Sequence, residues 1–244
     1  MTIWYEDPGF WSGTSEFLFD EDRWNSADGE VDGAIALLGV EPGAHVLDLC
    51  CGPGRHARAL LARGFQVTGV DLQGAHVREA RRRAPGIEAV EADMREFRRD
   101  ATFDGAINLF TSFGYFEDIA DDRRVAENLH ASLKPGARCI IETKGKENLA
   151  RQFEPVACHE LNDGTFLTER REILGAWERC RCTFTRQLAD GTVDYQFVTR
   201  LYAATELRAL LQDAGFAQVE FYGSLDGAPY DHEAQRMVAV AIKA

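Results

Sequence analysis

Short apolar runs alternate with helix-like stretches along much of this chain. The run AHVLDL at residues 44–49 is followed by the helical pattern GRHARALLARG at 54–64. Further apolar runs of the same kind cover residues 66–72, 87–93, 103–110 and 137–143. Repeated strand–helix units build a parallel sheet with helices on both faces. We therefore predict an α/β fold centred on such a sheet.

The pattern changes between residues 144 and 202, where apolar and polar residues alternate. Alternation with a period of two predicts strands, and Asp190-Gly191 is a dipeptide typical of tight antiparallel turns. The alternating runs are 166–173, 179–188 and 194–202. Helical periodicity returns at 206–216, before two last apolar runs at 218–224 and 236–244. The sequence thus predicts a seven-stranded, mostly parallel sheet with a small antiparallel insertion before the last helix.

Length and composition limit the class of protein. With 244 residues, 45% of them hydrophobic, the chain suits one domain with a modest insertion. Asp and Glu number 40 against 27 Lys and Arg, and the resulting net charge of -13 would repel the phosphates of nucleic acid. Because we find no signal peptide and no uncharged apolar run of about 18 residues, we expect a cytoplasmic protein without a membrane partner. The six cysteines lack zinc-site spacing, so we expect reduced thiols and no metal.

The segment VLDLCCGPGRHA at 46–57 indicates a ligand site. It has the pattern of a buried strand that runs into a glycine-rich turn and then opens a helix, where glycine permits close backbone approach and free N–H groups face a ligand. Gly52, Gly54 and Ala57 satisfy the G-x-G-x-x-A spacing of dinucleotide-binding turns. Asp71 follows at the spacing, about 20 residues, where a carboxylate receives ribose hydroxyls. We therefore expect a cofactor that contains a nucleoside.

With these features the chain resembles the class I S-adenosylmethionine-dependent methyltransferases, over residues 44–143 and again from 200 onward. In that family a D-x-x-x-G-x-G loop follows the first strand, an acid ends the second, a D-M or D-L pair follows the third, and L-K-P-G-G precedes the fifth. The matching residues are Asp48, Gly52, Gly54, Asp71, Asp93-Met94 and Leu133-Lys134-Pro135-Gly136. Ala137 departs from the last glycine of the pattern. The runs CCGPGRHA, DMREF, NLFTSFGYFED and LDGAPYD also resemble a group of bacterial small-molecule methyltransferases.

The resemblance implies a Rossmann-like fold, with S-adenosyl-L-methionine as cofactor and S-adenosyl-L-homocysteine as product. The implied reaction transfers a methyl group to an oxygen or nitrogen nucleophile of a small molecule by in-line displacement. By the same resemblance, the glycine turn holds the methionine portion, the acid after the second strand holds the ribose, and the pair after the third strand flanks adenine. The expected cofactor-binding residues are Asp48, Cys50, Gly52, Pro53, Gly54, His56, Asp71, Leu72, Asp93, Met94, Asn108, Leu109 and Phe110.

We expect cofactor binding and acceptor binding to be divided among three parts of the chain. Residues 1–40 form an N-terminal helical segment that acts as a lid, 41–143 and 203–244 form the cofactor-binding core, and 144–202 form the candidate acceptor-binding subdomain. Tyr115 is the candidate catalytic residue, because its loop follows the fourth strand and its hydroxyl could position the nucleophile. The candidate acceptor contacts are Tyr5, Phe10, Trp11, Phe113, Tyr115, Arg170, Arg181, Arg200, Tyr202, Tyr222 and Tyr230. We expect a monomer or a homodimer.

Three other interpretations stay open at the level of sequence. Nucleic-acid methyltransferases that act on amino groups resemble one another in an N-P-P-Y-type run after strand four, whereas Asn108 here is followed by Leu-Phe-Thr. A nicotinamide-dependent oxidoreductase would use the same glycine turn but would leave DMREF and the aromatic loop unexplained. A protein that binds the cofactor without turnover shares the features above, because a fold alone does not establish activity.

Overall fold

The computed structural model describes residues 3–188 and 190–244, which form eleven strands and seven α-helices. The strands are β1 (His45–Leu49), β2 (Gln66–Asp71), β3 (Glu88–Glu91), β4 (Phe103–Asn108), β5 (Leu133–Thr143), β6 (Val156–Glu160), β7 (Phe166–Leu174), β8 (Arg179–Leu188), β9 (Gly191–Arg200), β10 (Gln218–Tyr222) and β11 (Met237–Ile242). The helices are α1 (Pro8–Leu18), α2 (Glu21–Leu38), α3 (Arg55–Ala62), α4 (Gly74–Arg83), α5 (Ile119–Ser132), α6 (Lys146–Arg151) and α7 (Ala204–Asp213). None of the described helices is both long and apolar enough to cross a membrane.

Seven strands form the central sheet in the order β10-β11-β5-β4-β1-β2-β3. The neighbours from β5 to β3 pair in parallel, and β11 lies antiparallel to both β5 and β10. The prediction of a seven-stranded, mostly parallel, Rossmann-like sheet is therefore confirmed. The strand order reverses at β1, which has β2 on one side and β4 on the other. Ligands of open parallel sheets bind outside the carboxyl ends of the strands at such a switch point.

Helices cover both faces of this sheet because successive side chains of a strand point to opposite sides. In β1, Val46 packs in a cluster with Val31 of α2 and Leu60 of α3. Its neighbour Leu47 packs on the other face, in the cluster that includes Leu129 of α5. All of these side chains are buried. The helices on both faces that the sequence predicts are therefore present.

The strands β6 to β9 form a separate antiparallel sheet between β5 and α7. This confirms the predicted antiparallel insertion. The sequence pattern did not predict β6, an edge strand whose residues are mostly exposed and which therefore lacks an alternation of apolar and polar residues. The strand β5 also begins earlier than the predicted residue 137, because α5 ends at Ser132 ahead of the Pro-Gly pair.

The N-terminal helices connect the two sheets. The side chains of Asp7 and Asp20 accept backbone N–H bonds in the first turns of α1 and α2, which fixes where each helix begins. On α1, Gly13 lies directly against Tyr195 of β9, since a Cβ at Gly13 would stand 2.2 Å from the Tyr195 hydroxyl oxygen. The helix α2 instead packs on α3 and the central sheet. The N-terminal segment is thus helical over α1 and α2 and contacts both the insertion and the core.

Gly33 of α2 permits close contact with the loop after β10. A Cβ at Gly33 would lie 2.3 Å from the backbone carbonyl oxygen of Leu225. We expect Gly33→Ala to lower the free energy of unfolding by about 1–3 kcal/mol through overpacking. Gly29 lies in the same helix, and a Cβ there would meet nothing within 4 Å, so Gly29→Ala should stabilise the chain by about 0.5–1 kcal/mol. Scanning calorimetry of the two variants checks the contact, and a Gly33→Ala melting temperature at or above that of Gly29→Ala would contradict it.

Candidate active site

A cavity of about 590 Å³ lies where the central strands β1, β2, β4 and β5 end. Its walls come from the turns after these strands, the N-terminal segment with α1 and α2, the inner face of the antiparallel sheet, and the loop between β10 and β11. Sites for small molecules typically enclose about 300–1,000 Å³. The cavity therefore has the size of a small-molecule site and the position that the strand order predicts.

The turn after β1 has a tightly wound backbone. Cys50, Gly52 and Gly54 have φ angles of 63°, 53° and 86°, in the left-handed region that favours glycine. A Cβ at Gly52 would stand 3.2 Å from the ring of Phe19, and one at Gly54 would stand 3.0 Å from the Cβ of Ala80 in α4. Gly52 lines the cavity and Gly54 does not. Gly54 thus permits close packing of α3 on α4, whereas Gly52 keeps bare backbone at the cavity wall.

Asp71, the last residue of β2, is bonded to two turns at once. Its Oδ2 accepts the N–H of Gly52 at 2.8 Å, and its Oδ1 accepts the N–H of Gln73 at 2.9 Å. The Nδ1 of His76 lies 3.3 Å from the same Oδ1. A carboxylate offers about four lone-pair positions, so Asp71 keeps the capacity to accept further bonds. It lines the cavity, and its position is fixed from both sides.

Asp93, which follows β3, is held by Arg95. The Nη2 of Arg95 lies 2.6 Å from Oδ2 of Asp93, and the N–H of Arg95 donates to Oδ1 at 2.8 Å. Burial would raise the pKa of the Asp93 carboxyl, but these bonds to Arg95 hold it below its usual range. The adjacent Met94 is buried, with its Sδ 3.4 Å from the Sγ of Cys50. Asp93, Met94 and Cys50 together form one stretch of the cavity wall.

Two polar residues lie beneath the cavity rather than in its wall. Asp48 in β1 and Asn108 at the end of β4 are 1% and 0% exposed. The Nδ2 of Asn108 donates to the carbonyl oxygen of Leu49 at 3.0 Å. Among the described residues, Asp48 Oδ2 and Asn108 Oδ1 have no hydrogen-bond partner. Burial raises the pKa of the Asp48 carboxyl to about 6, although His56 and Arg55 oppose the shift.

The raised pKa of Asp48 predicts a cost to folding at neutral pH. The folded chain binds this proton more tightly than the unfolded chain does, so stability that is present below the ordinary pKa of 3.8 is lost as pH rises through about 6. The full shift corresponds to about 3 kcal/mol. We therefore expect Asp48→Asn to raise the melting temperature by about 5 °C at about pH 8, with little change at about pH 4. Scanning calorimetry at both pH values measures this, and an equal effect at both would exclude the charge as the cause.

The first turn of α3 is anchored to α2 by Glu30. The Nη1 of Arg55 and the Nε2 of His56 lie 2.5 Å and 2.7 Å from the same Oε2 of Glu30. Burial would raise the pKa of the Glu30 carboxyl, but His56 and Arg55 hold it down at about 2. Since both basic side chains also line the cavity, the contact fixes α2 against the glycine turn.

The backbone after β4 is held in a strained conformation. Phe110 and Thr111 are consecutive non-glycine residues with φ angles of 61° and 59°, and each such residue costs about 1–3 kcal/mol. The Oε2 of Glu142 accepts the N–H of Phe110 at 2.6 Å, and the Nη2 of Arg236 donates to Oγ1 of Thr111 at 2.7 Å. Arg236 also contacts Glu142 through its Nε. These contacts stabilise the strained turn, and all four residues line the cavity.

Arg23 is a cavity residue that the sequence analysis missed. Its guanidinium carbon lies 4.9 Å from the centre of the Phe110 ring, and that of Arg55 lies 5.0 Å from the same centre. Arg55 is paired with Glu30, whereas the side chain of Arg23 has no ion pair within the part of the chain that the structure describes. No sequence signal identifies Arg23, because it is one of several charged residues in the first turns of α2. It supplies a cation beside the glycine turn.

An aromatic wall covers the cavity opposite the strand ends. The ring of Trp4 lies 4.6 Å from that of Tyr115 and 5.4 Å from that of Phe197 in β9. The carbonyl oxygen of Tyr5 accepts bonds from Nε2 of Gln73 and Nε1 of Trp11, both at 2.9 Å. Burial raises the pKa of the Tyr115 hydroxyl above its usual value, so this group stays protonated at neutral pH. The N-terminal segment is thereby joined to the turn after β2 and to the antiparallel sheet.

The antiparallel sheet presents a different set of side chains from the predicted one. Arg170 of β7 is exposed, and Arg181 of β8 pairs with Glu172 on the surface. Their neighbours Glu169 and Arg171 line the cavity instead. In β8 the even-numbered residues face inward, and the cavity-lining ones are Cys180, Cys182 and Phe184. In RCRCTF the small or apolar residues alternate with polar ones and lie on this inner face. The sequence therefore already indicated that Arg181 lies outside the cavity.

Three predicted tyrosines use their hydroxyls outside the cavity. Tyr202 donates to Oδ2 of Asp122 at 2.6 Å, inside the protein. Tyr222 donates to Glu220 at 2.9 Å. Tyr230 donates to Glu147 at 3.0 Å. Within the described chain, these hydroxyls are therefore engaged by neighbouring side chains rather than directed to a ligand in the cavity.

Comparison with known proteins establishes the family to which the chain belongs. The sequence profile of a family described as Methyltransferase domain matches residues 46–136. A dTDP-4-amino-2,3,4,6-tetradeoxy-D-glucose N,N-dimethyltransferase from Saccharopolyspora spinosa is 33% identical over 210 residues, which cover 84% of this chain and 82% of that protein. The chain belongs to the class I S-adenosylmethionine-dependent methyltransferases. The predicted activity, methyl transfer from this cofactor to a small molecule, is thereby confirmed.

Solved structures agree with the fold of this methyltransferase. The CcbJ methyltransferase from Streptomyces caelestis superposes with a TM-score of 0.78, at 16% identity, over 90% of each chain. CalS10, described as an amino pentose methyltransferase from Micromonospora echinaspora with bound S-adenosylmethionine, superposes with a TM-score of 0.72, at 24% identity, over 96% of each chain. At these identities the two likenesses establish the fold alone.

The residues around the cavity of the methyltransferase suit its cofactor. Asp71 and Asp93 provide carboxylates that accept hydrogen bonds, as ribose hydroxyls and an amino group require. Arg23 provides a guanidinium without an ion pair among the described residues, as a carboxylate ligand requires. Gly52 leaves backbone at the wall where a Cβ would crowd the ring of Phe19. The charge pattern therefore matches a nucleoside joined to an amino acid.

The cavity of the methyltransferase brings together most of the predicted site residues. Those that line it are Tyr5, Phe10, Trp11, Cys50, Gly52, His56, Asp71, Leu72, Asp93, Met94, Leu109, Phe110, Tyr115 and Arg200. Those that lie outside its wall are Asp48, Pro53, Gly54, Asn108, Phe113, Arg170, Arg181, Tyr202, Tyr222 and Tyr230. Cavity residues that were not predicted include Trp4, Phe19, Arg23, Glu142, Lys144, Glu169, Arg171, Cys180, Cys182 and Arg236.

Proposed function

We propose that this methyltransferase acts on the amine nitrogen of an amino sugar carried by a nucleotide. The S. spinosa relative is named for N,N-dimethylation of a nucleotide-linked amino sugar, and it matches most of both chains. An amine can accept two methyl groups in succession, provided that the methylated product loses a proton and binds again with a second molecule of S-adenosylmethionine in place of S-adenosylhomocysteine. We therefore include dimethylation in the proposal.

The observation that carries the proposal is a single cavity with two different ends. One end is formed by the turns after β1, β2 and β3, and the other by the inner face of the antiparallel sheet. Two ligands held in one enclosed space can meet in line, and correct orientation alone supplies a large part of the rate enhancement of such reactions. This arrangement suits a cofactor at the first end and a sugar at the second.

At the cofactor end, each group has a residue suited to it. Asp71 would accept the ribose hydroxyls, and Asp93 with Met94 would flank adenine. Arg23 would pair with the carboxylate of the methionine portion, since a guanidinium and a carboxylate form charge-assisted bonds. Gly52 would allow the ligand to approach the backbone closely. Asp48 and Asn108 would support the turn from below rather than touch the ligand.

When bound, the cofactor supplies an activated methyl group, so the protein needs to bind, orient and exclude water. The aromatic wall formed by Trp4, Tyr5 and Tyr115 would exclude water, and aromatic faces are compatible with a neighbouring sulfonium cation. Tyr115 remains the candidate catalytic residue. Because its hydroxyl stays protonated, it would donate a hydrogen bond that positions the acceptor rather than remove a proton.

We propose further that no nucleic acid or membrane takes part. The net charge of -13 supports this for nucleic acid, because such a surface repels a phosphate backbone. The proposal includes a cytoplasmic protein that works as a monomer or homodimer. It also includes the three-part organisation given above, with residues 1–40 as lid and 144–202 as acceptor-binding subdomain.

Incubation with a panel of nucleotide-linked sugars tests the proposed function. The panel pairs each amino sugar with the matching sugar that carries a hydroxyl in place of the amine, with S-adenosylmethionine in excess. We expect mass spectrometry to find one or two added methyl groups on the amino sugars only. Methylation of the hydroxyl sugars, or of none of the panel while other small amines react, would contradict the proposal.

A further inference from the structure

Arg200, the last residue of β9, is buried although it carries a charge. Its side chain is 7% exposed and is held from three directions. Nη1 lies 3.0 Å from Oε1 of Glu178, Nε lies 3.3 Å from Oδ2 of Asp122, and Nη2 donates to the carbonyl oxygen of Glu117 at 2.8 Å. Because a guanidinium is planar and its donors form a rigid fork, contacts in several directions fix its position.

The loop that Arg200 contacts is the one that carries Tyr115. Residues 111–118 lie between β4 and α5. The backbone N–H of Arg200 donates to the carbonyl oxygen of Gly114 at 2.7 Å, and its Nη2 donates to that of Glu117. Tyr115 and Phe116 lie between these two carbonyls in the sequence, and both line the cavity. Arg200 therefore holds the loop on either side of Tyr115.

Gly114 permits the close contact between this loop and β9. It has a φ angle of 95°, and a Cβ there would stand 3.0 Å from the carbonyl oxygen of Arg200 and 3.5 Å from its Cβ. A side chain at this position would therefore push the loop away from the strand or strain its backbone. On the other side of the loop, the ring of Tyr115 lies 4.6 Å from that of Trp4. Tyr115 is thus held between β9 and the N-terminal segment.

We propose that Arg200 is a positioning residue, which fixes this loop so that the hydroxyl of Tyr115 is directed at the acceptor nitrogen. This rests on the proposed function, in which Tyr115 donates a hydrogen bond to the acceptor. Arg200 lines the cavity, but its contacts with Glu178 and Glu117 commit its guanidinium to the protein. A misplacement of about 1 Å can cost about 100-fold in rate. The role differs from the direct acceptor contact that the sequence analysis expected of Arg200.

A double-mutant cycle of Arg200→Lys and Tyr115→Phe tests the proposal. Lysine keeps the charge but has one nitrogen in place of the fork, so it cannot make all three contacts. Phenylalanine keeps the ring of Tyr115 and removes the hydroxyl. With an amino sugar as acceptor, we expect Arg200→Lys to lower kcat about 10- to 100-fold in the native chain and to lower it no further in the Tyr115→Phe chain. The KM for S-adenosylmethionine should stay unchanged.

Three results of the cycle would overturn the proposal. An equal fall of kcat in both backgrounds would mean that Arg200 does not act through Tyr115. An unchanged kcat in Tyr115→Phe would leave Arg200 no catalytic group to position. A rise of the acceptor KM at unchanged kcat would mean that Arg200 binds the acceptor directly. The matched control is Arg123→Lys, which should change nothing, because Arg123 is exposed, pairs with Asp213 and does not line the cavity.

Gly114→Ala tests the same contact from the side of the loop and leaves the buried guanidinium in place. It therefore serves if circular dichroism shows that Arg200→Lys is not folded. We expect kcat to fall, and the fall to disappear in the Tyr115→Phe background. Gly43→Ala is the matched control, because Gly43 has a φ angle of 96°, a Cβ there would meet nothing within 4 Å, and it does not line the cavity. Equal kcat values for the two alanine variants would overturn the proposal.

A measurement without acceptor separates this proposal from the proposed function. Tyr115 is replaced by fluorotyrosine, and the fluorine NMR spectrum is recorded with S-adenosylhomocysteine bound. We expect one sharp resonance, which shifts or broadens with Arg200→Lys and Gly114→Ala but not with Arg123→Lys. If these changes are seen although the native chain methylates no amino sugar, the proposed acceptor is wrong and the positioning by Arg200 stands. A resonance that stays unchanged in both variants would overturn the positioning, whatever the acceptor is.

Discussion

Replacing Asp71 with alanine is expected to weaken binding of S-adenosylhomocysteine by about 100-fold. The ribose would lose its hydrogen bonds to the Asp71 carboxylate, and hydrogen bonds to a charged group contribute about 1.5–3 kcal/mol each. The substitution also removes the bonds to the N–H groups of Gly52 and Gln73, which fix the turns after β1 and β2. Isothermal titration calorimetry measures the affinity directly.

The matched control for this substitution is Asp100→Ala. Asp100 is an exposed carboxylate whose side chain pairs with Arg98, and it does not line the cavity. Its removal should leave the affinity unchanged. Circular dichroism on both variants establishes that they are folded before titration. A folded Asp71→Ala chain that binds within about threefold of the native chain would exclude the assigned role, since threefold is well below the loss of one charged hydrogen bond.

Replacing Asp122 with alanine is expected to destabilise the fold by about 2–4 kcal/mol, because the buried hydroxyl of Tyr202 loses its acceptor and a cavity is left, while Arg200 keeps its contact with Glu178. Asp122 is 0% exposed in α5, its Oδ2 accepts the hydroxyl of Tyr202, and Nε of Arg200 lies 3.3 Å away. Burial raises the pKa of this carboxyl to about 6, although Tyr202 and Arg200 oppose the shift. In a chain of this size the melting temperature should fall by about 10 °C, as scanning calorimetry can measure.

Asp213→Ala serves as the control for Asp122. Asp213 pairs with Arg123 on the surface, where both side chains are more than half exposed, and such pairs contribute about 0–1 kcal/mol. Its melting temperature should stay within about 3 °C of the native value. Asp122→Asn keeps an acceptor for Tyr202 and removes the buried charge, so it should melt above Asp122→Ala. If Asp122→Ala melts as the surface control does, the buried contact between α5 and the end of β9 does not stabilise the fold.

The wall that the strand ends contribute to the cavity was largely predictable from the sequence. Gly52, Asp71 and Asp93 each follow directly from the position of a strand end, and the carboxyl ends of parallel strands meet at one edge of a sheet. Local spacing therefore contains enough information to place them at the cavity. Gly54 was assigned to the ligand by the same pattern, but its contact with Ala80 is between two helices, and spacing does not reveal such packing.

The wall that the antiparallel sheet contributes to the cavity was predicted less well. Arg170 and Arg181 were chosen for their charge, yet the alternation along β7 and β8 turns them away from the cavity and turns Arg171 and Cys182 toward it. Lys144 and Arg236 also line the cavity, although no local signal in the sequence indicates it. Contacts between distant segments decide which side chains line the same cavity, and a single sequence does not reveal those contacts.

Calorimetric titration of the native chain with S-adenosylhomocysteine tests most directly the central claim that the turn after β1, with Asp71, holds an adenosyl ligand. We expect saturable binding of one ligand per chain, with a Kd of about micromolar, or about -8 kcal/mol. We expect no measurable heat from nicotinamide dinucleotide under the same conditions. Absence of binding to S-adenosylhomocysteine, or tighter binding of the nicotinamide dinucleotide, would contradict the claim.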